Sequence, residues 1–169
     1  MVEAFIGLGS NLGHGKTNLL AAWHRLGKVS GVKLLALSRP FRTKPLDMES
    51  NRWFTNAVGK LETALGAPQL LALLLATEKQ LGRDRGQGRD RTVDLDLLYY
   101  NGLICHSPNL VLPHPEIQHR LFVLAPLAEL APDLKHPVLR LTSAQMLAAL
   151  RDPDQEADPA SWDEQGEPA

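Results

Sequence analysis

The residues best suited to chemistry lie in the second half of the 169-residue chain. In "TVDLDLLYY" (residues 92–100), a single residue separates Asp94 from Asp96. Alternate side chains of a strand share a face, so both carboxylates point one way and Val93, Leu95 and Leu97 the other. The two Cα atoms then stand about 6.5–7 Å apart, close enough to converge on a cation or cation pair. Like charges held that close repel, and a hard divalent cation would offset them. Magnesium takes one or two carboxylates and fills its shell with water and substrate phosphates. Immediately before the strand, "GRDRGQGRDR" (82–91) sets Arg83, Arg85, Arg89 and Arg91 among three glycines. Glycine permits motion and arginine offers bidentate donors to phosphate oxygens. Phosphoryl transfer asks for positioning, metal charge neutralisation and cations at the migrating group, and this segment offers all three. A solvated linker or an RNA-binding arginine/glycine patch is the alternative use of such a loop. An RNA-binding sheet, however, carries stacking rings where this strand carries carboxylates. "LPHPEIQHR" (112–120) adds His114 between two prolines, followed by Arg120.

A second glycine-rich stretch, "FIGLGSNLGHGKT" (5–17), imitates a phosphate-binding loop and fails on spacing. G-x-x-x-x-G-K-[ST] needs glycine at position 10, which is Ser10, and G-x-G-x-x-G needs it at position 12, which is Leu12. No acidic residue lies between Val29 and Pro40 to hold a ribose. The stretch reads as a strand, a Ser/Asn/Gly turn and a helix start.

The elements that must position these groups follow from periodicity. Strands are expected over 2–8, 32–39, 53–63 and 92–100, with an irregular loop over 40–52. A helix is expected over 16–29, with Leu19, Trp23 and Leu26 on one face, and another from Pro68 through Leu81. Asn101-Gly102 predicts a hairpin returning along 103–105. Short helical pieces over 116–130, interrupted near Pro126, and a last helix over 143–150 complete the chain. The order β-α-β-β-α-β with extra strands predicts an α+β fold, an antiparallel sheet flanked by helices.

Apolar content of 44% and charged content of 22% suit one soluble globular domain. No apolar run approaches the about 20 residues of a membrane span, and no basic-then-apolar leader opens the chain. Cytoplasmic residence is therefore expected. Cys105 is the only cysteine, which excludes an internal disulfide. Residues 151–169 hold seven acids and one base, Arg151, leaving 17 basic against 12 acidic residues in the body. The expected division is a catalytic domain over 1–150 and a flexible, proline-containing acidic tail over 151–169 that does not fold alone. The basic surplus of the body suits an anionic ligand.

Taken together, "FIGLGSNLG", "FRTKPL", "FTNAV", Glu78-x-x-x-x-Arg83, "RTVDLDLL" and "LPHPEIQHRLFVLAPLAELAP" resemble the 6-hydroxymethyl-7,8-dihydropterin pyrophosphokinase family. The resemblance covers residues 4–133. It implies a ferredoxin-like core and transfer of the β,γ-pyrophosphoryl unit of ATP to the pterin hydroxymethyl group, releasing AMP, in folate biosynthesis. It further implies that Asp94 and Asp96 hold two Mg2+ ions and that Arg83 and Arg91 close on the phosphates. His114, Arg120 and Glu78 correspond to ATP-binding residues. By the same resemblance the pterin lies between Phe54 and Phe122, Asn56 reads its polar edge, and Gly9, Thr43, Pro45 and Leu46 line the pocket. ATP and the reduced pterin are the expected partners, with no nucleic acid or membrane, and the expected state is a monomer. One departure falls in the arginine loop, where the family's Trp-Gly-Pro is replaced by Gly88-Arg89-Asp90.

Overall fold

β1 (Val2–Ser10) is the strand around which the sheet is built, because both of its edges are paired. The computed structural model describes residues 1–45, 52–82 and 92–163. On one edge β1 runs antiparallel to β4 (Phe54–Thr63), from Val2 opposite Thr63 to Ser10 opposite Thr55. On the other it runs antiparallel to β5 (Asp94–Tyr100), with a bulge where Leu98 is the extra residue. The outer edge of β4 carries β2 (Val32–Leu37) and β3 (Phe41–Thr43), and β3 carries β8 (Ala157–Pro159). The sheet order is β5-β1-β4-β3-β8, with β2 beside β3 on β4.

Alternation along β1 divides the core into two layers. Ala4, Ile6 and Leu8 face α1 (Gly15–Gly27) and α2 (Ala67–Gln80), where Leu19, Trp23, Leu26, Leu70 and Leu74 are buried. Phe5 faces the other way, toward α3 (Leu121–Leu130) and α4 (Ser143–Ala149). The periodicity of α1 and α2 is thus the expected one. α4 begins at a capping box in which the Thr142 hydroxyl accepts from Gln145 N–H and Gln145 Oε1 accepts from Thr142 N–H.

Four expectations need correction. The segment 40–52 is not all loop, since β3 re-enters the sheet on the same partner strand that β2 has just left. Ser38 bridges the break, its N–H donating to Val58 O and its hydroxyl accepting from Val58 N–H. The Asn101-Gly102 turn forms, with Asn101 at φ 53, but residues 103–105 do not return along β5. β5's outer edge is engaged instead by His114, whose N–H donates to Leu98 O at 2.9 Å. The chain therefore leaves the sheet, and β6 (Cys105–Ser107) pairs with β7 (Leu110–Leu112) as a separate ribbon. Pro126 does not interrupt α3: it removes one helical hydrogen bond, and burial of Val123, Leu124, Pro126 and Leu127 along the same helix offsets that loss. Finally, the acidic segment after residue 150 is not loose through Asp163, because β8 lies along β3 and Trp162 Nε1 donates to Ser38 O.

The Trp23 ring of α1 lies directly against Gly59 of β4, and a Cβ placed there would overlap that ring. Gly59→Ala should lower stability by about 1–3 kcal/mol, since α1 must shift to make room. Thermal unfolding should show a Tm reduced by about 3–10 °C; an unchanged Tm would mean that α1 is free to move.

Candidate active site

The pairing register places one residue from each of three strands in a row. Gly9 on β1 is opposite Asp94 on β5 and opposite Asn56 on β4. Directly opposed residues share a face, so the carboxylate and the amide stand about 10 Å apart, two strand spacings, across a floor that has no side chain. Gly7, opposite Asp96, extends that floor. The floor is glycine for a steric reason at position 9, where a Cβ would sit 2.7 Å from Asn56 Oδ1. The other face of β5 is apolar as expected, with Val93, Leu95 and Leu97 buried in the α1/α2 layer while Asp94 and Asp96 are half-buried.

At the carboxylate end a cavity of about 320 Å³ opens between α2, β5 and the segment around His114, lined by Leu71, Glu78, Asp94, Asp96, Val111 and His114. Glu78 does more than line it. Its buried carboxylate accepts from Leu95 N–H at 2.6 Å, which fixes the strand between the two aspartates to α2. Burial, and then the charge of Arg120, push the His114 imidazole below the usual histidine value, against smaller opposing effects of Glu116 and Asp94. His114 Nδ1 accepts from Glu116 N–H, so the neutral ring carries its proton on Nε2.

At the amide end, Asn56 Nδ2 donates to Thr43 Oγ1 at 2.5 Å, which orients the amide from the neighbouring strand. Phe54 lies opposite Thr43 in the register, and Pro45 follows half-buried at the end of β3. Arg120 and Phe122 flank the start of α3, with the guanidinium 5.5 Å from the centre of the Phe122 ring. Leu46, Arg83 and Arg91, together with Arg85 and Arg89, lie outside the described residues.

The turn that imitates a phosphate loop is closed by protein. Asn18 Nδ2 donates to Ser10 Oγ and to Leu12 O, and Gly13 adopts φ +70. Two supporting roles have no local signal in the sequence. The resemblance marks Glu78 as an ATP-binding residue and not as the acceptor for Leu95 N–H, and Gln155, which hydrogen-bonds the start of α3, carries no motif at all.

Residues 5–132 match the sequence profile described as 7,8-dihydro-6-hydroxymethylpterin-pyrophosphokinase (HPPK). The chain belongs to the HPPK family. The 2-amino-4-hydroxy-6-hydroxymethyldihydropteridine pyrophosphokinase of Methylorubrum extorquens is 40% identical over 135 residues, covering 79% of this chain and 85% of that protein. The enzyme of the same name from Haemophilus influenzae is 38% identical over 138 residues, covering 81% and 86%. A folic acid synthesis protein of Pneumocystis carinii is 38% identical over 154 residues, 89% of this chain, yet the match spans only 20% of that protein. Among solved structures, wild-type Plasmodium falciparum HPPK-DHPS superposes with a TM-score of 0.70 at 15% identity, covering 87% of this chain and 44% of that one. That likeness speaks for the fold. The family match contains Gly9, Asn56, Asp94, His114 and Phe122 and ends before β8.

His136 is buried at 4% exposure beside the α3/α4 layer, with Nδ1 accepting from Val138 and Leu139 N–H and its ring edge-on to Tyr99. Burial lowers its pKa. The unfolded chain then takes the proton more readily, so this contribution is complete above the ordinary value of about 6.5 and is lost as pH falls through the depressed one. Tm should fall between pH 7.5 and pH 5, and His136→Asn should flatten part of that slope. A slope unchanged by the substitution would assign the acid loss to other groups.

Proposed function

We propose that this HPPK transfers pyrophosphate from ATP to 6-hydroxymethyl-7,8-dihydropterin along the row Asp94–Gly9–Asn56, giving the pterin diphosphate and AMP. The observation that carries this reading is the row itself: a carboxylate pair and an amide reader on one bare sheet face, inside the segment that matches the family. The reaction serves folate biosynthesis. The pterin hydroxymethyl oxygen attacks the β-phosphorus of ATP, the bond from that phosphorus to the α,β-bridging oxygen breaks, and the hydroxyl proton is released.

Asp94 and Asp96 fit Mg2+ by donor chemistry, being hard oxygen ligands on one strand face at the mouth of the cavity. Among the described residues no third His, Cys, Asp or Glu joins them in a cage, which leaves positions for water and phosphate oxygens. In this reading they hold two ions, which neutralise triphosphate charge when bound. Glu78 keeps both carboxylates in place through Leu95 N–H. His114 presents Nε2–H to an ATP oxygen, Arg120 adds a fixed cation, and Arg83 and Arg91 close on the phosphates from the loop. At the other end Asn56, oriented by Thr43, reads the pterin edge between the rings of Phe54 and Phe122, with Gly9, Pro45 and Leu46 as further lining.

The same proposal takes the core as ferredoxin-like, supported by the order β5-β1-β4 with β2 and β3 sharing the next position. It takes the protein as a cytoplasmic monomer that binds no nucleic acid or membrane. Among the described residues no helix is long and apolar enough to cross a membrane.

Incubation with ATP, Mg2+ and the reduced pterin should yield AMP and the pterin diphosphate; ADP would indicate ordinary kinase chemistry and overturn the reading. Asp96→Ala should lower turnover by about 10²–10³-fold, the usual scale for losing a group that stabilises developing charge. Near-normal turnover in that variant would remove the metal assignment. Arg83→Ala should depress turnover more than ATP affinity, because a loop cation acts mainly in the closed state. Single-turnover kinetics beside equilibrium ATP binding separates the two effects.

A further inference from the structure

We propose that residues 152–162 are a strap that sets the two walls of the pterin pocket, with Gln155 as the positioning residue for the α3 wall. This rests on the reading of Asn56 and Phe122 as pterin contacts. α3 begins without a cap of its own, because its N-cap residue Arg120 makes no side-chain capping bond. The orphan Leu121 N–H is instead taken by Gln155 Oε1 at 2.8 Å. The same amide group donates through Nε2 to His119 O at 2.9 Å and to Asp152 Oδ2 at 3.0 Å. Gln155 therefore clamps the backbone on both sides of Arg120 and immediately before Phe122, the two side chains whose cation and ring pack together.

From Gln155 the chain passes directly to the opposite wall. Glu156 O accepts from Lys44 N–H at 3.1 Å, and Ala157, Asp158 and Pro159 pair with Thr43, Arg42 and Phe41. Ala160 N–H donates to Pro40 O, and Trp162 Nε1 to Ser38 O, both at 2.9 Å. β3 is only three residues long, and without β8 it would be a frayed edge. Its Thr43 orients Asn56, so the strap reaches the pterin reader in two steps: β8 holds Thr43 and Thr43 holds the amide. The row across the sheet continues through the strap, from Asp94 and Gly9 to Asn56, Phe41 and Pro159. These residues lie beyond 5–132, so the family-matched segment does not contain the clamp. Apart from Trp162, which packs against the α1/α2 core layer, the strap is exposed or half-buried, and its link to the pocket walls runs through backbone pairing and the Gln155 bonds.

The test is pterin binding with a non-transferable ATP analogue present, measured well below Tm, for Gln155→Ala, Gln155→Glu and Phe122→Ala. Gln155→Ala should weaken binding of 6-hydroxymethyl-7,8-dihydropterin by about three- to thirty-fold, the affinity equivalent of one lost helix cap. Gln155→Glu keeps an acceptor for Leu121 N–H but sets a carboxylate oxygen against His119 O and Asp152 Oδ2, so it should weaken binding as Gln155→Ala does. Adding Asp152→Asn to Gln155→Glu should recover part of that loss, which a general packing defect would not do. The Gln155→Ala/Phe122→Ala double variant should bind no more weakly than Phe122→Ala alone, since the first residue acts through the second. Unchanged binding in Gln155→Ala, beside weakened binding in Phe122→Ala, would overturn the strap and leave the pocket reading standing. Unchanged binding in Phe122→Ala would overturn both. If Gln155→Ala does not fold, Gln155→Glu decides alone: its lost donor to His119 O should still weaken binding measurably, and wild-type affinity would reject the clamp.

Discussion

Pairing on both edges of β1 is the constraint on which the site depends. A central strand must match two neighbours and two faces at once, so each residue's face is fixed by register rather than by local preference. At one end of β1 this produces core, with Phe5 buried against the α3/α4 layer and Ala4 and Ile6 against α1 and α2. At the other end the same alternation brings Gly7 and Gly9 to a face where side chains from β4 and β5 stand on either side of an empty floor. The strand is therefore structural over half its length and part of the site over the other half.

Around that floor, irregularities in the backbone are each met by a polar side chain. Glu78 takes the N–H of Leu95, Ser38 fills the gap between β2 and β3, Asn18 closes the turn after β1, and Gln155 serves the start of α3. Buried or half-buried backbone groups that lack a regular partner must find another, and a side chain from a distant element couples two elements when it supplies one. Regular pairing of β1 thus sets the row, and these side chains fix the irregular segments around it. Arg39 and Glu129 act similarly further out: the Glu129 carboxylate accepts from Arg39 N–H and forms an ion pair with its guanidinium, joining the β2–β3 break to α3.

The two ends of the row differ in electrostatic character. Carboxylates and the His114 imidazole gather at β5, a set that in the proposed function meets a charged phosphate chain, and Arg120 acts on His114 there while packing on Phe122 at the other end. At β4 and β3 the groups are an amide, a hydroxyl and aromatic rings, suited to a flat heterocycle with donors and acceptors on its edge. With the two ends on β5 and β4, one on either side of β1, their separation is set by the sheet, and in the proposed function that positioning is most of what phosphoryl transfer requires of a protein.

The sequence by itself determined the residue types and the alternation: Asp94 and Asp96 on one face, the apolar stripes of α1 and α2, and the failed spacing of the Gly-Lys-Thr turn. Those features are local, governed by periods of 2 and 3.6 residues that hold wherever the chain goes. The motifs at Gly9, Asn56 and His114 were legible as residues, but not their order across the sheet, because register depends on which strands pair. The same limit explains the hairpin that did not return along β5, whose outer edge His114 engages from twelve residues further along. It also explains the acidic segment. Its composition lacks the apolar surface to fold alone, yet β3 offers an open edge and Ser38 an acceptor for Trp162. Only the tertiary structure could decide that placement, since strand addition draws its energy from backbone hydrogen bonds to a partner that the segment's own residues do not encode.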